Sequence, residues 1–303
     1  MQAASALTEQ IDHELQAFDT WSPEQMAQTV LSAQVQSLQA VLATQQQLAQ
    51  ASRLMVERLQ HSQGRLIYTG AGSAGLQACI DGVELPATFG WPSERLILLL
   101  AGGLECLLND KGFAEDNVDL ARIDTERIQI TPDDVVIAVT ASGSTPYTLA
   151  VCRFAKQQGA LVIGITNSAK TLLHTATDLT IGIASGMEIV AGSTRMAAGT
   201  SQKIVLNTLS TMVMAQLGYL YDNLMVNMQV HNIKLIQRAF DIVQHITQAD
   251  KTQIMQALQT ANYQIPLAVL LIKGVKKKTA QQLLVKHGNR LRAALAELDC
   301  SPF

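Results

Sequence analysis

The sequence predicts an α/β fold: a doubly wound parallel sheet of five strands, with an N-terminal helix and a C-terminal helical appendage. Three observations predict it. Five short apolar runs, at 66–69, 96–100, 135–140, 161–166 and 179–183, are continuous rather than alternating, as strands buried on both faces are. Helix-forming segments separate them, as the crossovers of a parallel sheet require. Two loops rich in glycine and hydroxyls follow the first and third runs, where open α/β sheets hold their ligands.

The N-terminal helix starts at Ser22-Pro23-Glu24, with Ser as cap and Pro at the first position. Leu31, Val35, Leu38, Leu42, Leu48, Met55 and Leu59 then recur on roughly one face, predicting one long amphipathic helix that packs on the sheet or on a second subunit. The first strand leads into Thr69-Gly70-Ala71-Gly72-Ser73-Ala74-Gly75, and a helix begun after it is expected to end at Pro86. The third strand leads into Thr140-Ala141-Ser142-Gly143-Ser144-Thr145, followed by a helix at 146–158 that stops at Gly159. Further helices are expected at 199–217 and 233–246, with three or four short ones from 250 onward. The expected division is a helical arm at 1–60, an α/β domain at 61–246 that carries both loops and a small helical domain at 247–303.

Composition narrows the function. A hydrophobic share of 48% over 303 residues supports a sizeable core, and a net charge of −3 gives no bulk attraction to nucleic acid. Lys273 and Lys276-Lys277-Lys278 read as a solvated helix start. Cys79, Cys106, Cys152 and Cys300 lack paired spacing, which argues against a zinc site or disulfide framework; Cys79 and Cys152 read as core thiols. The start at Met1 is polar, and no apolar run approaches the ~20 residues of a membrane helix. A cytoplasmic protein with no membrane or nucleic-acid partner is expected.

Both loops are strand-to-helix turns. Free amides and a helix N-terminus make such turns suited to phosphate. Gly70, Gly72 and Gly75 match GxGxxG, but the next strand ends in Ala101-Gly102-Gly103 without the acid that holds a ribose. The second loop lacks the Walker lysine. Ser73, Ser142, Ser144 and Thr145, with the Gly72 amide, instead offer donors to one phosphate, structural capping being the other reading; no cofactor and no metal are expected. Glu84, just before Pro86, reads as a helix-end glutamate facing solvent or as a general acid. Glu115-Asp116 is an acidic turn that, beside a phosphosugar, fits proton transfer at carbon. Ser193 and Thr194 read as helix caps, and Glu188, Arg195 and Lys203 as site groups or surface residues. His231 reads as structural.

Read together, these segments resemble the N-acetylmuramic acid 6-phosphate etherase family, among the sugar-isomerase (SIS) domain proteins that include glucokinase regulatory protein. The resemblance rests on Tyr68 to Gly75, Glu84-Leu85-Pro86-Ala87-Thr88-Phe89-Gly90, Ala101-Gly102-Gly103, Ala141 to Tyr147, Gly192-Ser193-Thr194-Arg195-Met196 through Lys203, and Asn223-Leu224-Met225-Val226. It implies a flavodoxin-like SIS fold, a phosphosugar ligand and a homodimer. The implied reaction is lyase-type cleavage of a D-lactyl ether, with Glu84 as acid on the departing lactate and Glu115 as base at C2. Gly72, Ser73, Ser142, Ser144, Thr145, Glu188, Ser193, Thr194 and Lys203 are the implied substrate-binding residues. The chain departs from the family pattern at Ala74, Leu76, Ser144, Ala197 and Asn227, and around Lys111-Gly112. Cations are lost at three of these positions, so a non-catalytic sugar-phosphate sensor stands as the alternative, with a sugar-phosphate isomerase as a third reading.

Overall fold

The computed structural model describes residues 7–60, 62–107 and 113–300; Met1, Lys111 and Gly112, named above, lie outside them. The described chain forms two compact units, one of residues 1–83 and 94–210, the other of 84–93 and 211–303.

In the first unit, α1 (Pro23–Leu42) opens with a reciprocal capping box: Ser22 Oγ accepts from the Gln25 N–H, and Gln25 Oε1 accepts from the Ser22 N–H. The expected single N-terminal helix is instead two, α1 and α2 (Gln45–Leu59). The break falls at Ala43 and Thr44, where the Thr44 N–H and hydroxyl both donate to the Val41 carbonyl, at 2.9 and 2.8 Å. Those bonds close the α1 end and replace the helical ladder. The break also splits the apolar stripe. Leu48, Met55 and Leu59 of α2 are buried, while Leu31, Val35, Leu38 and Leu42 of α1 are exposed.

The sheet strands are β1 (Leu66–Gly70), β2 (Leu96–Leu100), β3 (Val135–Val139), β4 (Leu161–Thr166) and β5 (Leu179–Gly182). All pair in parallel, in the order β2-β1-β3-β4-β5. That order reverses direction between β1 and β3, so the loops after these two neighbours flank the switch point where such sheets bind ligands. The helices of this unit are α3 (Gly72–Phe89), α4 (Val118–Ile128), α5 (Pro146–Gln157), the single turn α6 (Leu173–Ala176) and α7 (Ala197–Gln216); α3 and α7 run on into the second unit. α5 packs on β1, β3 and β4 on one face of the sheet, and α2 packs on β3, β4 and β5. Ile67, Val136, Ala138 and Val162 meet Leu149, Val151 and Cys152 in the core under α5. Burial of both faces is why the strands read as unbroken apolar runs.

Pro86 does not end α3, contrary to expectation. The residue four before it is Gly82, packed so tightly that an added methyl would stand 2.7 Å from Leu98 Cδ2. Tertiary packing holds the helix through the proline, and Gly90, at φ +71°, stops it instead.

Two buried carboxylates staple the sheet to its surroundings. Asp81 is buried and accepts from Tyr68 Oη at 2.7 Å and Ser210 Oγ at 2.9 Å, joining β1, α3 and α7. Asp134, 1% exposed, accepts from Arg65 Nη2 at 2.6 Å, Arg65 Nε at 3.0 Å and the Thr131 N–H at 2.8 Å, at the edge opposite the loops. Burial alone would raise the Asp134 pKa, but the Arg65 guanidinium and backbone donors outweigh it and hold the carboxyl below its ordinary value. A depressed folded-state pKa means that this contribution is fully present above the ordinary carboxylate range and is lost as pH falls through the folded value. Asp134→Asn is therefore expected to cost about 1–3 kcal/mol at neutral pH and to flatten the acid limb of a urea-midpoint-versus-pH curve. A limb unchanged from wild type would contradict the assignment.

The second unit contains α8 (Ile233–Thr247), α9 (Lys251–Thr260), α10 (Ile265–Ile272), α11 (Lys277–Lys286) and α12 (Leu291–Cys300). α10 is almost wholly apolar and buried, with α8, α9 and α11 packed on it. No described helix is long and apolar enough to cross a membrane.

Candidate active site

The first wall of the site is the turn from β1 into α3. A methyl on Gly70 would stand 2.7 Å from Gly75 Cα, and one on Gly75 would stand 2.6 Å from the Gly70 carbonyl carbon. The glycines thus let strand and helix backbones touch. Gly72, at φ +52°, starts the helix in a conformation that disfavours side chains.

The loop from β3 into α5 forms the second wall. Ser142 Oγ accepts from the Ser144 N–H at 3.2 Å and from Ser144 Oγ at 3.0 Å. The Thr140 and Thr145 hydroxyls pair at 2.8 Å, so Thr145 gives α5 no side-chain cap. Gly143 sits at φ +67°, and its carbonyl accepts from the Leu173 N–H at 3.0 Å.

Glu115 forms the third wall, in the turn before α4. Its carbonyl accepts from the Tyr147 N–H at 2.9 Å, which ties the turn to the start of α5. Asn117 caps α4 by accepting from the Leu120 N–H at 2.9 Å. Tyr147 is fully buried and donates to Asp124 Oδ2 at 2.8 Å; burial and that carboxylate push its phenol far above ordinary ionisation. The side chain of Glu115 itself is exposed, and its Oε2 lies 4.0 Å from where a methyl on Gly72 would be. Gly192 and Thr194, from the loop between β5 and α7, complete the rim.

These walls enclose a cavity of about 330 Å³. Of the residues singled out in the sequence, Gly72, Ser73, Glu115, Ser142, Ser144, Thr145 and Thr194 line it together. Ser193, Glu188 and Lys203 do not. Glu188, 2% exposed, accepts from the Ala197 and Ala198 N–H groups at 3.0 and 2.8 Å. It caps α7 and places a negative charge at that helix's positive end. Lys203 is exposed on α7. Glu84 is exposed on α3, within the second unit. Asp116, read with Glu115 as an acidic pair, lines it too, as does Thr140, read only as part of the second loop; Glu9, from a single 3-10 turn (Leu7–Glu9), escaped the sequence reading. Nothing in the short polar segment around Glu9 signals it. Among the described residues no Lys or Arg lines the cavity.

A second cavity, of about 430 Å³, lies within the second unit and is lined by Tyr219, Asn227, His231 and Tyr263 among others, with no Asp, Glu, Lys or Arg among the described residues. His231 is exposed there and pairs with Gln229 Oε1 at 3.0 Å.

Comparison with known proteins matches the SIS domain model at residues 117–212 and the glucokinase regulatory protein N-terminal SIS domain at 47–156. The C-terminal lid domain of glucokinase regulatory protein matches residues 222–268. The N-acetylmuramic acid 6-phosphate etherase of Deinococcus radiodurans is 39% identical over 291 residues, 96% of this chain and 95% of that protein. The Clostridium acetobutylicum protein of the same name is 35% identical over 91% of this chain and 92% of its own. The one from Streptomyces avermitilis is 40% identical over 85% and 83%. Among solved structures, a phosphoheptose isomerase from Francisella tularensis covers 64% of this chain and 98% of its own at 17% identity, with a TM-score of 0.48. Identity at this level, sustained along nearly the whole length of both partners, settles the kinship: the chain belongs to the N-acetylmuramic acid 6-phosphate etherase family.

Proposed function

We propose that the protein cleaves the D-lactyl ether of N-acetylmuramic acid 6-phosphate, releasing D-lactate and N-acetylglucosamine 6-phosphate. The observation that carries this reading is the placement of the Glu115 carboxylate in one cavity with the hydroxyl-rich loops after β1 and β3. Ser73, Ser142, Ser144, Thr145 and the Gly72 amide are assigned to the phosphate. The sugar opens to its aldehyde, which acidifies C2–H. Glu115 removes that proton; the C2–C3 double bond forms as the C3–O bond breaks, and Glu84 protonates the departing lactate oxygen. Water then adds at C3, giving its proton to the Glu84 carboxylate, and Glu115 returns a proton to C2. Overall one water is consumed and no electrons are exchanged. Incubation with N-acetylmuramic acid 6-phosphate is expected to release D-lactate, and Glu84→Ala to suppress that release. A protein that binds the sugar phosphate but releases no lactate would instead be the sensor, a reading that the lack of a lining cation supports.

The exposed stripe on α1 supports a homodimer. Leu31, Val35, Leu38 and Leu42 are 65, 56, 45 and 59% exposed and spaced for one helix face. Ser37 and Val41 are buried, with Ser37 Oγ donating to the Ala197 carbonyl at 3.3 Å. Val35→Asp is expected to weaken self-association about a hundred-fold or more, because it would bury an unpaired carboxylate. Light scattering across a dilution series reads this, and an unshifted profile would place the interface elsewhere. The free, buried thiols of Cys79 and Cys152 suit a reducing compartment, and we assign the protein to the cytoplasm.

A further inference from the structure

We propose that Glu9 is a substrate-binding residue: its carboxylate accepts hydrogen bonds from sugar hydroxyls at the end of the cavity away from the phosphate. The proposal rests on the phosphosugar reading of the site and assigns a group that neither the loops nor the two proton-transfer glutamates account for.

The N-terminal segment is built into the cavity wall. Thr8 is fully buried, and its carbonyl accepts from the Gly192 N–H at 2.8 Å. That bond joins the start of the chain to the rim loop that also supplies Thr194. Glu9 then lines the cavity, and its Oε2 lies 3.1 Å from where a methyl on Gly192 would stand. Gly192, at φ +80°, leaves that space to the carboxylate.

Charge decides which part of the substrate Glu9 meets. The lining carries Glu9, Glu115 and Asp116 and, among the described residues, no Lys or Arg. A phosphate seated against Glu9, with no cation in the lining to offset the carboxylate, would be repelled, most strongly where bound substrate excludes water. Its donors are the Ser73, Ser142, Ser144 and Thr145 hydroxyls and loop amides. Glu9 offers only acceptors, and the complementary groups of a phosphosugar are its hydroxyl donors. The same logic excludes the lactyl carboxylate as the partner of Glu9.

The test uses the whole protein and calorimetric titration with N-acetylglucosamine 6-phosphate and, separately, inorganic phosphate. Glu9→Ala is expected to weaken the sugar phosphate about ten- to a hundred-fold, the usual worth of a charged hydrogen bond. Glu9→Gln, which keeps one acceptor and the size, is expected to lie between. Neither variant is expected to weaken inorganic phosphate, and that retained binding also shows the cavity to be folded. In turnover both should raise KM with little change in kcat. Unchanged sugar-phosphate binding in both variants would overturn the proposal, as would tightening of both ligands, which would put Glu9 beside the phosphate. If the wild type binds the sugar phosphate but releases no D-lactate, the etherase reading fails while the Glu9 assignment is still decided by the titrations.

Discussion

Glu115→Gln is expected to lower kcat for D-lactate release by about 10²–10⁴-fold, the range over which a positioned general base acts. The fold should not change. What anchors this turn is the Glu115 carbonyl, which accepts from the Tyr147 N–H, together with the Asn117 cap; neither uses the carboxylate. Glutamine keeps the shape and loses the ability to take a proton. The role can be read apart from ether cleavage by incubating N-acetylglucosamine 6-phosphate in deuterated water. The wild type should exchange the C2 hydrogen of the open-chain sugar, and Glu115→Gln should not. Glu84→Ala should keep the exchange, since the group assigned to the leaving lactate has no part in it. Exchange that survives in Glu115→Gln would move the base elsewhere, with Asp116, the adjacent cavity-lining carboxylate, first in line.

The sheet was legible because its strands are buried on both faces. The observed β2 and β4 coincide with the apolar runs, and the other three strands differ from theirs by one residue at the C-terminal end. The loops were legible for a related reason. A strand followed by Gly, Ser and Thr permits few structures besides a turn that opens amides toward a ligand. What the sequence concealed depends on contacts distant along the chain. Glu188 looked like a site acid, yet it serves the amides of Ala197 and Ala198, nine and ten residues later. Pro86 looked like a stop because the packing of Gly82 against Leu98 has no local sign. Periodicity showed the α1 stripe and the α2 core as one face, because a turn bonded through Thr44 does not disturb a count of apolar residues. Glu9 is the extreme case, joined to the site through Gly192 across most of the chain.

Gly143→Ala is expected to destabilise the protein by about 2–5 kcal/mol and to weaken the phosphate end of the site with it. Two independent costs add. An L-residue at φ +67° carries about 1–2 kcal/mol of backbone strain. The new methyl would also stand 2.2 Å from Thr171 Oγ1, 2.4 Å from its Cβ and 2.6 Å from its Cγ2. Because the clash reaches Cβ, no rotation of Thr171 relieves it, and backbone must shift at a cost of about 1–3 kcal/mol. The Gly143 carbonyl holds the Leu173 N–H, and Ser142 and Ser144 flank the glycine. A shift there displaces the hydroxyls assigned to the phosphate, so inorganic phosphate should bind more weakly in the urea-free folded state, unlike in the Glu9 variants. Removing the obstacle separates the two costs. Thr171→Gly in the Gly143→Ala background should recover the clash and leave roughly the 1–2 kcal/mol of left-handed strain. Full recovery in urea melts would show that φ at 143 carries no cost, and no recovery would show that the loop, rather than Thr171, yields to the methyl.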